Sequence, residues 1–229
     1  MAGSPLTAVL FDFDGTLVDT TELIHQSMRH ATSTVLGRDY PREDLLNGVG
    51  KPLPEQMKAF DPGRADELLE AYRLHQEAHH EEFIQEFPGI EENLRRLREA
   101  GLGLAVVTSK RRVSVDQAIE SFPALGRVVD RFVTMEDTTE HKPHPEPLLK
   151  GLEVLGATRE EAVYVGDSPY DIAAAKAAGL ASVGVSWGAF PHESLREAAP
   201  DLLFESMSGV TQALLGMAAG SAGLSTQST

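Results

Sequence analysis

Short apolar segments recur along the chain, and each of them ends at polar residues. The first runs over Ala8–Phe11, and later ones occupy Leu102–Ser109, Glu161–Ser168 and Ala181–Trp187. Short, β-branched segments of this kind are typical of strands that are buried on both faces of a parallel sheet. A further segment near Val133 also leads into polar residues. The pattern therefore predicts an α/β protein.

Longer stretches with helical periodicity separate these predicted strands. Ile90, Leu94 and Leu97 share one face of a predicted helix, and similar patterns occupy 145–155 and 171–178. Each of the three stretches is followed by a glycine, which favours the end of a helix. Strand and helix units in series predict a doubly wound parallel sheet with helices on both faces.

A helical insertion interrupts this alternation after the first strand. Its apolar spacing predicts helices near 21–36, 42–46, 54–60 and 65–83. An all-α cap domain mounted on the linkers 16–18 and 87–89 would lie above the carboxyl end of the first strand. We therefore predict a core of residues 1–16 and 89–219, a cap of residues 17–88 and a disordered tail of small, polar residues, 220–229.

Composition narrows the classes of function. The 229 residues include no cysteine, so a metal must be held by carboxylate, imidazole or carbonyl groups. The formal net charge of −15 disfavours nucleic acid and anionic membranes as partners, which leaves a small ligand as the expectation. No apolar stretch approaches the roughly 20 residues of a membrane helix, and the start, MAGSPLT, lacks the features of a secretory signal. A soluble, cytoplasmic protein is expected, either a monomer or a homodimer.

Polar side chains with complementary chemistry follow the predicted strands. In an open parallel sheet ligands bind at the carboxyl ends of the strands, where this chain places Asp12, Asp14 and Asp167. Three neighbouring carboxylates repel one another unless a hard cation compensates them, and Mg²⁺ fits oxygen ligands of this kind. Magnesium in turn points to phosphate, for which Lys142 and Thr108 supply a positive charge and a hydroxyl group.

Four motifs at these strand ends resemble, in order, those of the haloacid dehalogenase superfamily. They read DFDGTLVDT, VVTSK, KPHPEP and VGDSPYDIAAAKAAG. The resemblance covers the chain from about Leu6 to Trp187, and the insertion after the first motif is similar to the helical cap of the first type in that family. It implies a Rossmann-like core that carries the cap and a phosphohydrolase that uses Mg²⁺.

The resemblance also implies catalytic roles. Asp12 would be the nucleophile that attacks phosphorus and becomes an aspartyl phosphate, while Asp14 would protonate the leaving group and then activate water. Thr108 and Lys142 would bind the transferring phosphoryl group. Because the dehalogenases of the superfamily lack an acid at the position of Asp14, its presence favours phosphoryl transfer.

The same resemblance implies ligand contacts. Magnesium would be held by Asp12, the Asp14 carbonyl and Asp167, with Asp171 supporting them. Candidate substrate-binding residues lie within the first two motifs and the cap loop: Thr16, Ser109, Lys110 and Lys51. The loop of Lys51, GVGKPLPEQ, imitates a phosphate loop but lacks the residues of a Walker motif, so we read Lys51 as a contact to the far end of a substrate or as a solvated lysine.

Within the family, the chain is most similar to the phosphoglycolate phosphatase group and its pyrophosphatase relatives. The similarity rests on the cap segments TELIHQSM and YRLHQEAHHEEF and on VTMEDTTEHKPHPEPL. A sugar-phosphate phosphatase or phosphomutase remains an alternative, although Ile24 stands where such relatives commonly carry a histidine and His25 follows it. A non-catalytic relative that binds phospho-ligands or a protein is a further alternative.

Three histidines on the predicted helix 65–83 raise the question of a second metal site. His75 and His79 have a spacing that could bind a metal, but neither they nor His80 have an evident third ligand. Neighbouring glutamates favour a solvated polar face for all three.

Overall fold

The computed structural model describes residues 5–220. Its strands are β1 (Ala8–Phe11), β2 (Val18–Asp19), β3 (Gln85–Glu86), β4 (Gly103–Val107), β5 (Arg131–Val133), β6 (Ala162–Gly166), β7 (Ala181–Val185) and β8 (Leu202–Phe204). Its helices are α1 (Thr21–Ala31), α2 (Arg42–Leu46), α3 (Leu53–Phe60), α4 (Ala65–Phe83), α5 (Ile90–Glu99), α6 (Arg112–Ser121), α7 (Pro123–Val128), α8 (Glu146–Leu155), α9 (Pro169–Ala178), α10 (His192–Ala198) and α11 (Met207–Ala218). A π-helical turn, Thr32–Leu36, continues α1.

Six strands form a parallel sheet in the order β5-β4-β1-β6-β7-β8. From β1 the chain first builds outward through β4 and β5, and then crosses back to build β6, β7 and β8 on the other side. The strand order therefore reverses at β1. Ligand sites of open α/β sheets lie at the carboxyl ends of the strands at such a reversal.

Alternate residues of β1 face two different hydrophobic clusters, one on each side of the sheet. Val9 and Phe11 belong to the cluster that α5 and α11 cover, for example through Leu94. Leu10 belongs to the opposite cluster, where α8 and α9 pack, for example through Leu148. All five side chains are fully buried, and each contributes roughly 1.5–3 kcal/mol of transfer free energy. The predicted doubly wound α/β class is confirmed.

The helical insertion has a hydrophobic cluster of its own. Met28 of α1, Met57 of α3, and Leu68 and Tyr72 of α4 are buried in this cluster. The chain enters the insertion through β2 and leaves it through β3, and these two strands pair with each other in antiparallel fashion. An all-α cap carried on an α/β core is therefore confirmed. The exact boundaries at 16/17 and 88/89 stay predictions.

Several elements differ from the sequence prediction. The two-residue strands β2 and β3, the edge strand β8 and the helices α6, α7, α10 and α11 were not predicted. The strands and the helices α7 and α10 are too short to show periodicity, and α6 and α11 separate apolar from polar positions less clearly than α5 does. Helix α9 begins at Pro169 instead of Asp171, because Ser168 caps it and forms reciprocal hydrogen bonds with Asp171. Beyond Gly220, the predicted tail lies outside the described residues. Within residues 5–220, no helix combines the length and apolar character that crossing a membrane requires.

Candidate active site

The carboxyl ends of three adjacent strands bring the first set of polar side chains together. Asp12 follows β1, Thr108 follows β4 and Asp167 follows β6, and each side chain is buried. The Asp12 backbone N–H donates to the carbonyl of Val165, and that of Thr108 donates to the carbonyl of Val133. These hydrogen bonds continue the pairing of the sheet by one residue, so the functional groups start from a rigid edge.

Three carboxylates form a buried cluster at this edge. Asp12, Asp167 and Asp171 each place one carboxylate oxygen within 4.8 Å of the other two. Gly15, which has a φ of +76°, and Gly188 allow this arrangement, because a Cβ atom at either position would overlap the Asp167 side chain. The close approach of two backbone segments to one carboxylate therefore requires glycine at both places.

Lys142 lies inside the same cluster. Its ammonium group donates to Oδ1 of Asp12 at 2.8 Å, to Oδ1 of Asp171 at 2.7 Å and to the hydroxyl of Tyr164 at 3.0 Å. These three acceptors match the three N–H donors of a lysine. Tyr164 also lies 3.1 Å from the carbonyl oxygen of Val107, within hydrogen-bond range, and it thus links the ammonium group to strand β4.

The carboxylates carry more negative charge than Lys142 offsets. Burial, and then the neighbouring Asp171, raise the pKa of Asp12 to about 7, although Lys142 opposes the shift. Burial, and then the charges of Asp171 and Asp12, raise the pKa of Asp167 well above its ordinary value. Burial disfavours the charged form of Lys142, but Asp12 and Asp171 outweigh this effect and hold its pKa above the ordinary value. The cluster thus lacks positive charge, as expected of carboxylates that bind a cation.

The donor set fits a hard cation such as Mg²⁺, because all the available atoms are oxygens. Asp171 is the member with the most hydrogen bonds: its Oδ1 accepts from Lys142, and its Oδ2 accepts from the backbone and hydroxyl of Ser168. Asp167 accepts from the backbone N–H of Ala189. Asp12 and Asp167 are therefore the two carboxylates best able to hold a metal, and Asp171 orients Lys142.

Asp14 stands apart from the buried cluster. Its Oδ1 accepts hydrogen bonds from the hydroxyl of Thr20 at 2.8 Å and from the ammonium group of Lys110 at 2.7 Å. The sequence led us to expect Asp12, Asp14 and Asp167 as the three neighbouring acids, whereas Asp171 takes the third place. The reason is that β1 ends at Phe11, after which the chain turns and directs the Asp14 carboxylate away from the cluster.

A cavity lies between this edge of the sheet and the cap. The core side contributes Asp12, Asp14, Thr108, Lys142 and Asp167, and the cap side contributes residues that include Lys51. Of the predicted substrate-binding residues, Lys51, Ser109 and Lys110 line this cavity. Thr16 is instead fully buried and donates to Asp167 at 3.4 Å.

The cap loop touches the core beside the cavity. Ser109 donates to the carbonyl of Gly50 at 3.0 Å, and the ammonium group of Lys51 lies 5.0 Å from the centre of the Tyr170 ring. Gly50 has a φ of +94° and approaches Ser168 closely. This loop therefore forms one wall of the cavity, which places Lys51 where it can contact a bound ligand.

The sequence did not point to several residues of this region. Tyr164 lies within a strand and had no motif to mark it, and Arg73 and Arg111 line the cavity without belonging to a recognised pattern. The only signal was that Arg111 directly follows VVTSK.

His80 also departs from the expected solvated face: it is buried, and burial, followed by the nearby Lys110, lowers its pKa.

Comparisons with known proteins agree with this geometry. Residues 9–185 match a family model described as haloacid dehalogenase-like hydrolase. A protein of Caldanaerobacter subterraneus subsp. tengcongensis, provisionally named pyrophosphatase PpaX, is 42% identical over 88% of this chain and 91% of its own length. The pyrophosphatase PpaX of Anoxybacillus flavithermus is 37% identical over 91% of this chain and 97% of its own length.

A solved structure is similar over nearly the whole chain. It comes from Lactobacillus plantarum and carries a provisional assignment as a phosphoglycolate phosphatase. It has a TM-score of 0.81 and 25% sequence identity, and the match covers 91% of this chain and 99% of the other. The relatives therefore share both the core and the cap with this chain.

Proposed function

Because the chain belongs to the haloacid dehalogenase-like hydrolase family and is one of its phosphatases, we propose that it hydrolyses inorganic pyrophosphate through an aspartyl phosphate on Asp12. One observation carries this proposal above the others. Asp12 is a buried carboxylate that accepts a hydrogen bond from Lys142 at 2.8 Å, and it lines a cavity together with Thr108 and Asp14. A nucleophile, a cation and an acid thus converge on one small space.

In the first half of the reaction, a carboxylate oxygen of Asp12 attacks phosphorus. The bond between phosphorus and the bridging oxygen breaks, and the electron pair leaves with that oxygen, to which Asp14 donates a proton. Lys142, which donates to Oδ1 of Asp12, keeps the carboxylate in place and stabilises negative charge on the transferring group. Thr108 follows β4 beside Asp12 and would donate its hydroxyl to a phosphoryl oxygen.

In the second half, a water molecule attacks the phosphorus of the aspartyl phosphate. Asp14, now ionised, takes a proton from that water, and the bond between Asp12 and phosphorus breaks. The Asp12 carboxylate and inorganic phosphate are released. Lys110 and Thr20, which bind Oδ1 of Asp14, orient this carboxyl group in both halves.

Magnesium would be held by Asp12, the Asp14 carbonyl and Asp167, while Asp171 supports them through Lys142 and Ser168. When bound, the ion neutralises charge on the phosphoryl oxygens. The buried carboxylates support this assignment, because their raised pKa values reflect a cluster that lacks positive charge.

Pyrophosphate is the first choice of substrate because the relatives at 42% and 37% identity carry the name pyrophosphatase. A phosphoglycolate-type monoester is the second candidate, favoured by the similarity to the Lactobacillus plantarum structure. We take the protein to be a cytoplasmic enzyme, monomeric or homodimeric, that binds no nucleic acid. The net charge of −15 supports the last point.

The test is release of phosphate, with Mg²⁺ and with EDTA, from pyrophosphate, phosphoglycolate, sugar phosphates and nucleoside monophosphates. We expect turnover that requires Mg²⁺, is fastest on pyrophosphate and disappears in Asp12→Asn. Preference for phosphoglycolate or for a sugar phosphate would select those alternatives. Purified protein that releases no phosphate from any of these compounds would contradict the proposal and favour a non-catalytic binding role.

A further inference from the structure

Two arginines face the cavity from opposite sides of the boundary between cap and core. Arg73 lies on cap helix α4, and Arg111 directly precedes core helix α6. Both line the cavity that also contains Asp12 and Lys142. They are not part of the catalytic set, so their position calls for a separate explanation.

Arg73 is incompletely satisfied where it stands. Its Nε atom is buried and has no hydrogen-bond partner among residues 5–220. Within the same residues it forms no ion pair within 4.0 Å, and Glu77, one helical turn away, acts on it only at longer range. A buried donor without an acceptor is unfavourable, so this geometry favours an acceptor supplied from outside the chain.

Arg111 adds a second positive charge beside the first. Both guanidinium groups belong to residues that line the same cavity, and burial, followed by the charge of Arg111, lowers the pKa of Arg73. The carboxylate near both is Glu77, which lies 3.9 Å from Arg111 and is half exposed. This one half-exposed carboxylate does not compensate both cations.

Lys51 contributes a third positive charge from the cap loop. It lines the same cavity, and its ammonium group faces the Tyr170 ring instead of a carboxylate. The residues that line this cavity include five basic and three acidic side chains, so the cavity is opposite in sign to the chain, whose net charge is −15. Such a reversal attracts an anion into the cavity.

We propose that Arg73 and Arg111 form a second anion subsite, which binds the terminal anionic group of the substrate while Asp12 attacks the other phosphoryl group. The inference rests on the proposed function and deepens it, because it restricts the substrate class to phosphate compounds with a second anionic oxygen group. The planar guanidinium fork pairs with two oxygens of a phosphate or carboxylate at once. Because Arg73 belongs to the cap and Arg111 to the core, an anion bound by both also holds the cap against the core.

The kinetic test compares Arg73→Gln and Arg111→Gln on three substrates. Pyrophosphate carries a second phosphate, phosphoglycolate carries a carboxylate, and p-nitrophenyl phosphate carries neither. We expect KM for pyrophosphate to rise roughly tenfold or more in each variant, with the rate on p-nitrophenyl phosphate almost unchanged. Arg73→Lys should recover part of the affinity, because it restores the charge without the fork.

Matched controls remove the same charge elsewhere. The controls are Arg29→Gln and Arg127→Gln. Arg29 is exposed on cap helix α1, and Arg127 is exposed on core helix α7. Both controls should retain the parent KM on all three substrates. If the arginine variants raise KM for pyrophosphate alone, the bound group is a phosphate. If they raise KM for phosphoglycolate as well, the site accepts either anion. An equal loss of activity on all three substrates in the arginine variants, or no change on any of them, would overturn the proposed subsite.

A binding measurement separates this inference from the proposed function. In the Asp12→Asn background, calorimetric titration with pyrophosphate should show a Kd that Arg73→Gln and Arg111→Gln each raise roughly tenfold, whereas the Kd of inorganic phosphate stays unchanged. If the wild type releases no phosphate but this pattern appears, the subsite stands and the hydrolase assignment fails. If phosphate is released and the arginine variants bind pyrophosphate as tightly as the parent, the subsite is wrong.

Discussion

The ammonium nitrogen of Lys142 lies 2.8 Å from Oδ1 of Asp12, and the two side chains are only 1% and 6% exposed. A buried ion pair of this kind recovers its desolvation cost only when further hydrogen bonds complete it. Here Asp171 and Tyr164 complete the set around Lys142. The same contacts that keep the ammonium group charged also keep the proposed nucleophile in position.

Lys142→Met should reduce both activity and stability. Removing the cation leaves the carboxylates of Asp12 and Asp171 without compensation, so we expect the free energy of unfolding in EDTA to fall by about 3–5 kcal/mol. The kcat should fall by roughly a hundredfold or more. Urea unfolding and phosphate release measure the two effects. Lys150→Met, which breaks the exposed pair with Glu153, should cost less than about 1 kcal/mol, and equal costs for the two variants would refute the prediction.

Asp167→Asn should abolish the stabilisation that magnesium provides. For the wild type, Mg²⁺ at about 100 times its Kd should add roughly 2.7 kcal/mol, or about 5–10 °C in Tm. Without magnesium, the variant should unfold at the same or a higher temperature than the wild type, because one of the mutually repelling carboxylates is gone. Thermal unfolding with and without Mg²⁺ tests both statements.

The control for the magnesium experiment is Asp66→Asn, at an exposed position in the first turn of α4. It should keep the full shift in Tm. A variant at Asp167 that still responds to Mg²⁺ like the wild type would exclude this residue as a ligand.

Tyr164→Phe should lower kcat without changing KM. The hydroxyl holds Lys142 and lies 3.0 Å from Oδ1 of Asp171, so it is a positioning residue. We expect a fall in kcat of about three- to tenfold and a loss of about 0.5–1.5 kcal/mol in the free energy of unfolding. Tyr40→Phe, whose ring packs against Phe60 in the cap, is the matched control. A rise in KM with kcat unchanged would argue for substrate contact instead.

Glu22 should make a small contribution to stability that depends on pH. Hydrogen bonds from Gln26, and then from Arg42, hold the pKa of Glu22 at about 2, below its ordinary value of 4.5. A lowered pKa stabilises the fold above pH 4.5, and this contribution disappears as the pH falls toward 2. Because the side chain is 40% exposed, Glu22→Gln should cost less than about 1 kcal/mol at pH 7.

The difference between wild type and Glu22→Gln should shrink when urea unfolding is repeated at pH 5, 4 and 3. Glu43→Gln, at an exposed position in α2, serves as the control at each pH. A difference that stays constant from pH 7 to pH 3 would show that the carboxylate of Glu22 is not its source.

Much of the core could be predicted because its elements repeat simple patterns. The apolar segments that became β1, β4, β6 and β7 are buried on both faces, and helix α5 carries one apolar face, so sequence periodicity was sufficient to locate them. The edge strand β8, the ribbon of β2 and β3 and the helices α6, α7, α10 and α11 were missed. Most of these elements are too short for periodicity to appear, and α6 and α11 separate apolar from polar positions only weakly.

The sequence alone determined the fold class, the helical insertion, the family and the strand ends at which polar residues would meet. It could do so because the carboxyl ends of parallel strands must share one edge of a sheet, whatever the side chains do afterwards. The tertiary structure decided which side chains form pairs across that edge. It joined Lys142 to Asp171 and Tyr164, paired Lys110 with Asp14 and brought Arg73 of the cap and Arg111 of the core to one cavity. Such contacts depend on how turns and packed helices orient individual side chains, and no local pattern encodes that orientation.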